Sequence, residues 1–265
     1  MLFYNFPDAY DLFFTESFRD STQRFYEKIF GHKNINNVLD CTVGTGQMTI
    51  PWAKMGYNVI GSDINKNMLR KARTNFAKYD LTPQLVRSDI LNLSKNIKRE
   101  FDLVAATGNS LAHIKKNNLK NALNEMDSLI KPGGTIYLDS RNWDLVLERR
   151  QRFYLFNPIV RDKGRINYIQ VWDYNKDDSM TFNFLIFEEI ENKIISKRQF
   201  YVIYYPFETE YLINLVESMG YENISIFKLG DPEVDVLNNI DWFSLMATKP
   251  YETSKKKKKK KSLFK

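Results

Sequence analysis

Val38-Leu39-Asp40-Cys41-Thr42-Val43-Gly44-Thr45-Gly46, read together with Asn58-Val59-Ile60-Gly61-Ser62-Asp63, decides the fold of this chain. A short apolar strand runs into a glycine turn, a helix follows, and an acid closes the next strand. Glycines let backbone approach a ligand closely, and a helix start offers free N–H groups to a carboxylate or phosphate. An acid at the end of the second strand accepts both hydroxyls of a ribose. The pattern therefore predicts a nucleoside ligand. The spacing argues against a dinucleotide, because Gly44-Thr45-Gly46-Gln47-Met48-Thr49 has threonine where the third glycine of that fingerprint belongs. No Gly-Lys-Ser/Thr is present, which excludes a P-loop.

Asp40-x-x-x-Gly44-x-Gly46 resembles the first motif of class I methyltransferases, which use S-adenosylmethionine, and Asp63 matches that family's ribose-binding acid. The rest of the chain agrees. Strand and helix signals alternate from residue 38 to 139, as in a parallel sheet with crossover helices. Strands are expected at 37–40, 59–62, 83–87, 101–106 and 135–139, with helices at 48–55, 65–78 and 116–129. Lys131-Pro132-Gly133-Gly134 predicts a sharp turn into the fifth strand. After residue 150 three long strands, 165–174, 180–191 and 194–205, are joined by short polar stretches and read as an antiparallel meander. A helix at 208–219 and strands at 224–229 and 242–247 complete the core. The expected fold is α/β: a Rossmann-like seven-stranded class I methyltransferase sheet. Residues 1–250 form one domain, with residues 1–30 as an N-terminal lid and 151–206 as an inserted antiparallel sheet over the active site.

The fourth strand ends in Gly108-Asn109-Ser110-Leu111-Ala112-His113, where the resemblance sharpens to glycine N-methyltransferases and the related glycine/sarcosine enzymes. Arg141-Asn142-Trp143-Asp144 and Tyr204-Tyr205-Pro206 are similar to two further motifs of that family, and the likeness runs over residues 8–248. It implies that Asp40, Gly44, Gly46, Asp63, Ile64, Asp89 and Ile90 hold S-adenosylmethionine, with S-adenosylhomocysteine as product and no metal. A helix N-cap is the alternative for Asp63 and for Asp89. Tyr10 is expected to close over the sulfonium, and Arg19 or Arg24 to pair with the methionyl carboxylate; an exposed helix face is the alternative for either arginine. Arg141 is placed to clamp a substrate carboxylate with its planar fork, or else to pair structurally with Asp139 or Asp144. Asn109 is expected to accept a hydrogen bond from the acceptor amine. Tyr204 or Tyr205 would face the site, since strand alternation allows only one of them. The segment 148–164, with its four arginines, has no clear counterpart in the family.

Composition bounds the alternatives. At 265 residues and 43% hydrophobic the chain buries a sizeable core. Cys41 is the only cysteine, which precludes an intrachain disulfide and fits a reducing compartment. No secretory leader or run of ~18 apolar residues is visible, so a cytoplasmic enzyme without membrane partners is expected. The net charge of +7 invites a nucleic-acid reading, but eight of the 39 basic residues lie in Lys255–Lys261 and Lys265. The remaining 31 face 32 acids, so residues 1–254 carry −1. The lysine block self-repels and reads as a solvated tail; weak, salt-sensitive RNA docking is its alternative. Three functions remain in view: N-methylation of a small amine or amino acid, methylation of a nucleic acid docked through the tail, and cofactor binding without turnover. The oligomeric state, including a homo-oligomer, stays open.

Overall fold

The computed structural model describes residues 1–235 and 237–251; the lysine run at 255–261 lies outside the described residues. The chain opens with helices α1 (Pro7–Asp11) and α2 (Glu16–Phe30). An alternating stretch follows: β1 (Asn37–Asp40), α3 (Ile50–Lys54), β2 (Asn58–Asp63), α4 (Lys66–Ala77), β3 (Gln84–Arg87), α5 (Leu93–Asn96), β4 (Phe101–Ala106), α6 (Leu119–Asp127) and β5 (Ile130–Arg141). Beyond α7 (Trp143–Arg149) come β6 (Phe153–Leu155), β7 (Ile159–Arg161), β8 (Gly164–Tyr174), β9 (Met180–Ile190) and β10 (Lys193–Tyr204). The chain returns to the first sheet through α8 (Thr209–Ser218), β11 (Glu222–Lys228) and β12 (Trp242–Thr248).

Seven strands form the main sheet in the order β3-β2-β1-β4-β5-β12-β11. The first five are parallel, and β12 runs antiparallel beside β5. Burial on both faces explains the apolar content of the central strands: Val38, Leu39, Leu103 and Val104 are fully buried. The strand order reverses between β1 and β4, and the crevice beyond their carboxyl ends is where such sheets take ligands. Helix α4 shows how local sequence serves that crevice. Asn65 caps it by accepting from the N–H groups of Asn67 and Met68, and Met68, Leu69, Ala72 and Phe76 bury one face.

Two local expectations change. Residues 44–49 form successive turns, with the Gly46 N–H donating to Val43 O and the Ile50 N–H to Gly46 O, so α3 begins only at Ile50, with Pro51 in its first turn. Lys131–Gly134 does not end a helix and turn into a separate strand. It forms a bulge inside one long strand, because Phe101 pairs with Ile130 while Leu103 pairs with Thr135. Gly133 takes φ 78° there and Lys249 bonds on both sides, which satisfies the displaced backbone.

The insertion forms a second sheet in the order β10-β9-β8-β6, with β7 pairing β8. Its three long strands fall close to the expected bounds. Glu191 and Asn192 both take positive φ, the conformation that a tight hairpin with strand-matching twist requires. The inward face carries Tyr168, Trp172, Phe182, Phe184, Phe200 and Tyr204, all buried. Residues 1–14 lie between the two sheets: Phe3 stacks on Phe184 at 4.4 Å, and the Tyr201 N–H donates to Met1 O. Helix α2 does not belong to this cover. Its Tyr26 stacks on Trp52 at 4.5 Å, against the main sheet, so of the segment 1–30 only the first half packs on the second sheet. Among the described residues no helix is long and apolar enough to cross a membrane.

Candidate active site

A cavity of about 660 Å³ opens at the carboxyl ends of β1, β2 and β4, bounded by the glycine turn, the end of β2, the loop after β3 and the N-terminal segment. Gly44 has φ 53°, and a Cβ there would meet only Met68 Cε at 3.6 Å and Thr42 O at 3.9 Å. Gly46, with φ 86°, sits behind the loop, where a Cβ would strike the Phe76 ring at 2.7 Å. One glycine therefore keeps the lining smooth and the other lets the loop pack on α4.

Asp63 is fixed by the backbone. Its Oδ2 accepts from the Gly44 N–H at 3.0 Å and its Oδ1 from the Asn65 N–H at 2.7 Å. Burial raises its pKa, and the two N–H groups oppose that shift. Spare lone pairs face the cavity, as a ribose diol requires. Asp89 also lines the cavity while accepting from the Leu91 N–H at 2.9 Å, so cap and lining coincide. Among the described residues, Asp63, Asp89 and Lys115 are the only Asp, Glu, Lys or Arg side chains on the wall. That balance suits a cationic ligand better than a pyrophosphate.

Asp40 does not line the cavity. It is wholly buried beneath the loop, where it accepts from the Thr42 N–H, Thr49 Oγ1 at 2.6 Å and Thr107 Oγ1 at 3.1 Å. Desolvation pushes it up to about 6 against these bonds. Its work is to tie β1 to the loop and to the end of β4.

A second group of side chains adjoins the cavity. Asn109 has φ 63° and is buried. Asp139 holds it by accepting from the N–H groups of Gly108 at 2.6 Å and Asn109 at 3.1 Å. Desolvation lifts Asp139 to about 7, and its Oδ2 has no partner among the described residues. Asn109 Oδ1 accepts from Ser140 Oγ and from the Arg141 N–H, which fixes the amide orientation. Its Nδ2 is left buried and unpartnered among the described residues.

The Arg141 guanidinium lies within 4.6–5.8 Å of the ring centroids of Trp242, Trp172, Phe182 and Tyr154. It lines a small cavity of about 50 Å³ that also touches Arg149 and Asp241. Neither expected ion pair forms: Asp139 is committed to backbone, and Asp144 accepts from the Thr209 N–H. Among the described residues Arg141 has no carboxylate partner. Burial lowers its pKa, while nearby Tyr204 and Tyr154 oppose the shift.

Alternation separates the two tyrosines. Tyr205 lines the large cavity, and its N–H donates to Ala112 O. Tyr204 turns inward, stacked on His113 at 4.7 Å; burial raises its pKa, and nearby Tyr4, Arg141 and Asn109 oppose the shift.

Gly44, Asp63, Ile64, Asp89, Ile90, Tyr10 and Tyr205 thus line the large cavity. Asp40 and Gly46 support it from behind, and Asn109, Arg141 and Tyr204 cluster beside it. Arg19 reaches the rim only indirectly, through Gln47 at 2.7 Å, and is also bonded to Glu16. Arg24 is not part of the site. Helix α2 buries Thr22, Phe25, Tyr26 and Ile29, and that phase leaves residue 24 exposed. Tyr4 lines the cavity and Tyr154 and Trp172 enclose Arg141, none of which the motifs indicated.

A switch-point cavity with a glycine turn and acids at the ends of the second and third strands fits S-adenosylmethionine, and the chain is an S-adenosylmethionine-dependent methyltransferase. The methyltransferase-domain family matches residues 38–134. The chain is 26% identical over 231 residues to the glycine/sarcosine N-methyltransferase of Parasynechococcus marenigrum (strain WH8102), covering 86% of this chain and 76% of that one. It is 25% identical over 228 residues to the enzyme of the same name from Aphanothece halophytica, covering 84% and 80%. In fold it is similar to an S-adenosylmethionine-dependent methyltransferase from Clostridium acetobutylicum ATCC 824, with a TM-score of 0.73, 19% identity, and 92% and 98% of the two chains covered.

Proposed function

We propose that this chain methylates the nitrogen of a small carboxylated amine of the glycine or sarcosine type. The observation that carries the reading is Arg141, a buried guanidinium without an acidic partner among the described residues, enclosed by aromatic rings beside Asn109 and Tyr204. The two relatives named for glycine/sarcosine N-methylation support the same acceptor class.

When bound, S-adenosylmethionine supplies an electrophilic methyl group on a sulfonium. Asp63 holds the ribose hydroxyls, the Gly44 turn gives close approach, and Ile64 and Ile90 flank the adenine. Arg141 binds the acceptor carboxylate. The aromatic walls exclude water and so strengthen that ion pair. Asn109 takes a different role from the one expected. Its oxygen is committed to Ser140 and Arg141, so it offers an N–H donor, which suits a carboxylate oxygen rather than an amine. Holding a neutral amine in line contributes several kcal/mol without covalent catalysis.

Labelled methyl transfer to glycine, sarcosine and methylamine tests the reading. Arg141→Ala should raise KM for glycine by at least about 30-fold, the lower end for truncating one partner of a buried charge pair. Transfer to methylamine, which has no carboxylate, should change little. An unchanged KM for glycine would remove Arg141 from the acceptor site.

A further inference from the structure

Three side chains from distant parts of the chain meet between the cavity and the Asn109–Arg141 group. Tyr4 comes from the N-terminal turn, His113 from the turn after β4, and Tyr204 from the end of β10. Tyr4 Oη lies 2.8 Å from His113 Nε2 and 3.4 Å from Tyr204 Oη, and His113 Nδ1 lies 3.3 Å from Ile203 O. The Tyr4 ring meets the imidazole edge-on at 5.1 Å, and the Tyr204 ring stacks on it at 4.7 Å. Tyr204 covers one face of the imidazole and Tyr4 bonds its edge, so the ring cannot turn over without displacing a tyrosine.

We propose that His113 is a positioning residue: it fixes the direction of the hydrogen bonds along His113–Tyr4–Tyr204, so that the Tyr204 oxygen faces the acceptor amine as a hydrogen-bond acceptor. The deduction is stepwise. A carbonyl only accepts, so Nδ1 carries the hydrogen and donates it to Ile203 O. The ring is neutral, because burial pushes its pKa down to about 4, and Nε2 is therefore a bare acceptor. Tyr4 must then donate to Nε2, which leaves only oxygen lone pairs for its second bond. Tyr204 consequently donates its own hydrogen to Tyr4. Its remaining lone pairs are free of that bond, and Arg141 and Asn109 are near enough to lower the phenol pKa against burial.

This polarity matters for an amine nucleophile, and the inference rests on the acceptor reading above. An N–H of the amine donated to the Tyr204 oxygen leaves the nitrogen lone pair free for the methyl group. With the chain reversed, Tyr204 would donate to that lone pair and compete with the reaction. No proton is transferred along the chain; the hydrogens are only oriented.

Nitrogen-15 NMR of histidine-labelled enzyme tests the direction without any acceptor. The chain has two histidines, and the exposed His32 can be removed as His32→Gln, leaving His113 as the single signal. The neutral Nδ1–H tautomer at neutral pH is expected; the Nε2–H tautomer or an imidazolium overturns the proposal. The kinetic arm uses His113→Phe and Tyr4→Phe. Each should lower kcat roughly tenfold, the effect of one hydrogen bond, with KM for S-adenosylmethionine within about twofold. The double variant should also lose only about tenfold, because both changes break one chain. Additive losses, or unchanged kcat, refute the proposal. A wrong acceptor would appear instead as no transfer to any carboxylated amine while the expected tautomer persists, which separates the two failures.

Discussion

Replacing Asp139 by asparagine removes a titrating group while keeping its shape, and the structure sets the size and sign of the effect. Asp139 is wholly buried, with Oδ1 on two backbone N–H groups and Oδ2 without a partner among the described residues. Desolvation raises its pKa from 3.8 to about 7 despite those bonds. The folded protein therefore keeps a proton through a window in which the unfolded chain has already released it. Stability from this group is present below the unfolded value and is lost as pH rises through the folded one. Three units at about 1.36 kcal/mol each put a ceiling of roughly 4 kcal/mol on the loss. In Asp139→Asn the amide oxygen still accepts from Gly108 and Asn109, and nothing titrates. Asp40, raised to about 6, acts with the same sign and remains in the variant, so the comparison is one of slopes. Urea unfolding between about pH 4.5 and pH 7.5 should show the parent losing roughly 2–3 kcal/mol more than the variant. Parallel profiles, within about 0.5 kcal/mol, would show that Asp139 is ionised in the folded state and refute the argument.

Further outcomes follow from the same geometry. Gly46→Ala forces a Cβ to 2.7 Å from the Phe76 ring at φ 86°, and should cost roughly 2–4 kcal/mol, read as a lower Tm; a shift below about 2 °C would mean that Phe76 yields freely. Asp63→Ala should weaken S-adenosylmethionine binding roughly 10- to 100-fold by calorimetry, since it loses the ribose bonds and frees the Gly44 N–H. An unchanged Kd would assign Asp63 to loop structure alone. Trp242→Ala opens the face of Arg141 at 4.6 Å and should raise acceptor KM up to about 30-fold. Equal losses for methylamine and glycine would count against the carboxylate clamp.

The glycine turn and the acids of the cavity wall are legible in the sequence because they are local. Gly44, Asp63 and Asp89 each end a strand of the parallel sheet, and strand ends show in the spacing of apolar runs and glycines. Asp40 lies behind the cavity wall instead, and strand phase alone does not reveal the three hydroxyl-bearing neighbours, Thr42, Thr49 and Thr107, that satisfy it there. The placement of Arg24 away from the cavity has a signal in the sequence: Thr22, Phe25, Tyr26 and Ile29 set a helix phase that turns residue 24 outward. Tyr4, Tyr154 and Trp172 were not legible. They reach the site by long-range packing, from a segment before the first strand and from an insertion whose first part has no periodic pattern.

That difference has a structural cause with a consequence for evolution of the site. The larger cavity owes its glycine turn, Asp63 and Asp89 to the main sheet. The Arg141 pocket needs the second sheet, because Tyr154, Trp172, Phe182 and Tyr204 all belong to the insertion. Arg141 and Asn109 project from β5 and the end of β4, but on the main sheet alone a guanidinium there would face water, where its attraction for a carboxylate is weak. Docking the insertion dries the pocket and shapes it, and residues 1–14 tie the two sheets together through Phe3 and the Tyr201 N–H. Acceptor choice is thereby confined to the insertion, the ends of two strands and the N-terminal segment. Changes in those segments can alter the acceptor while the donor site stays intact, which is why the stretch from Glu148 to Gly164, with β6 and β7, rather than the glycine turn, is the place to look for specificity.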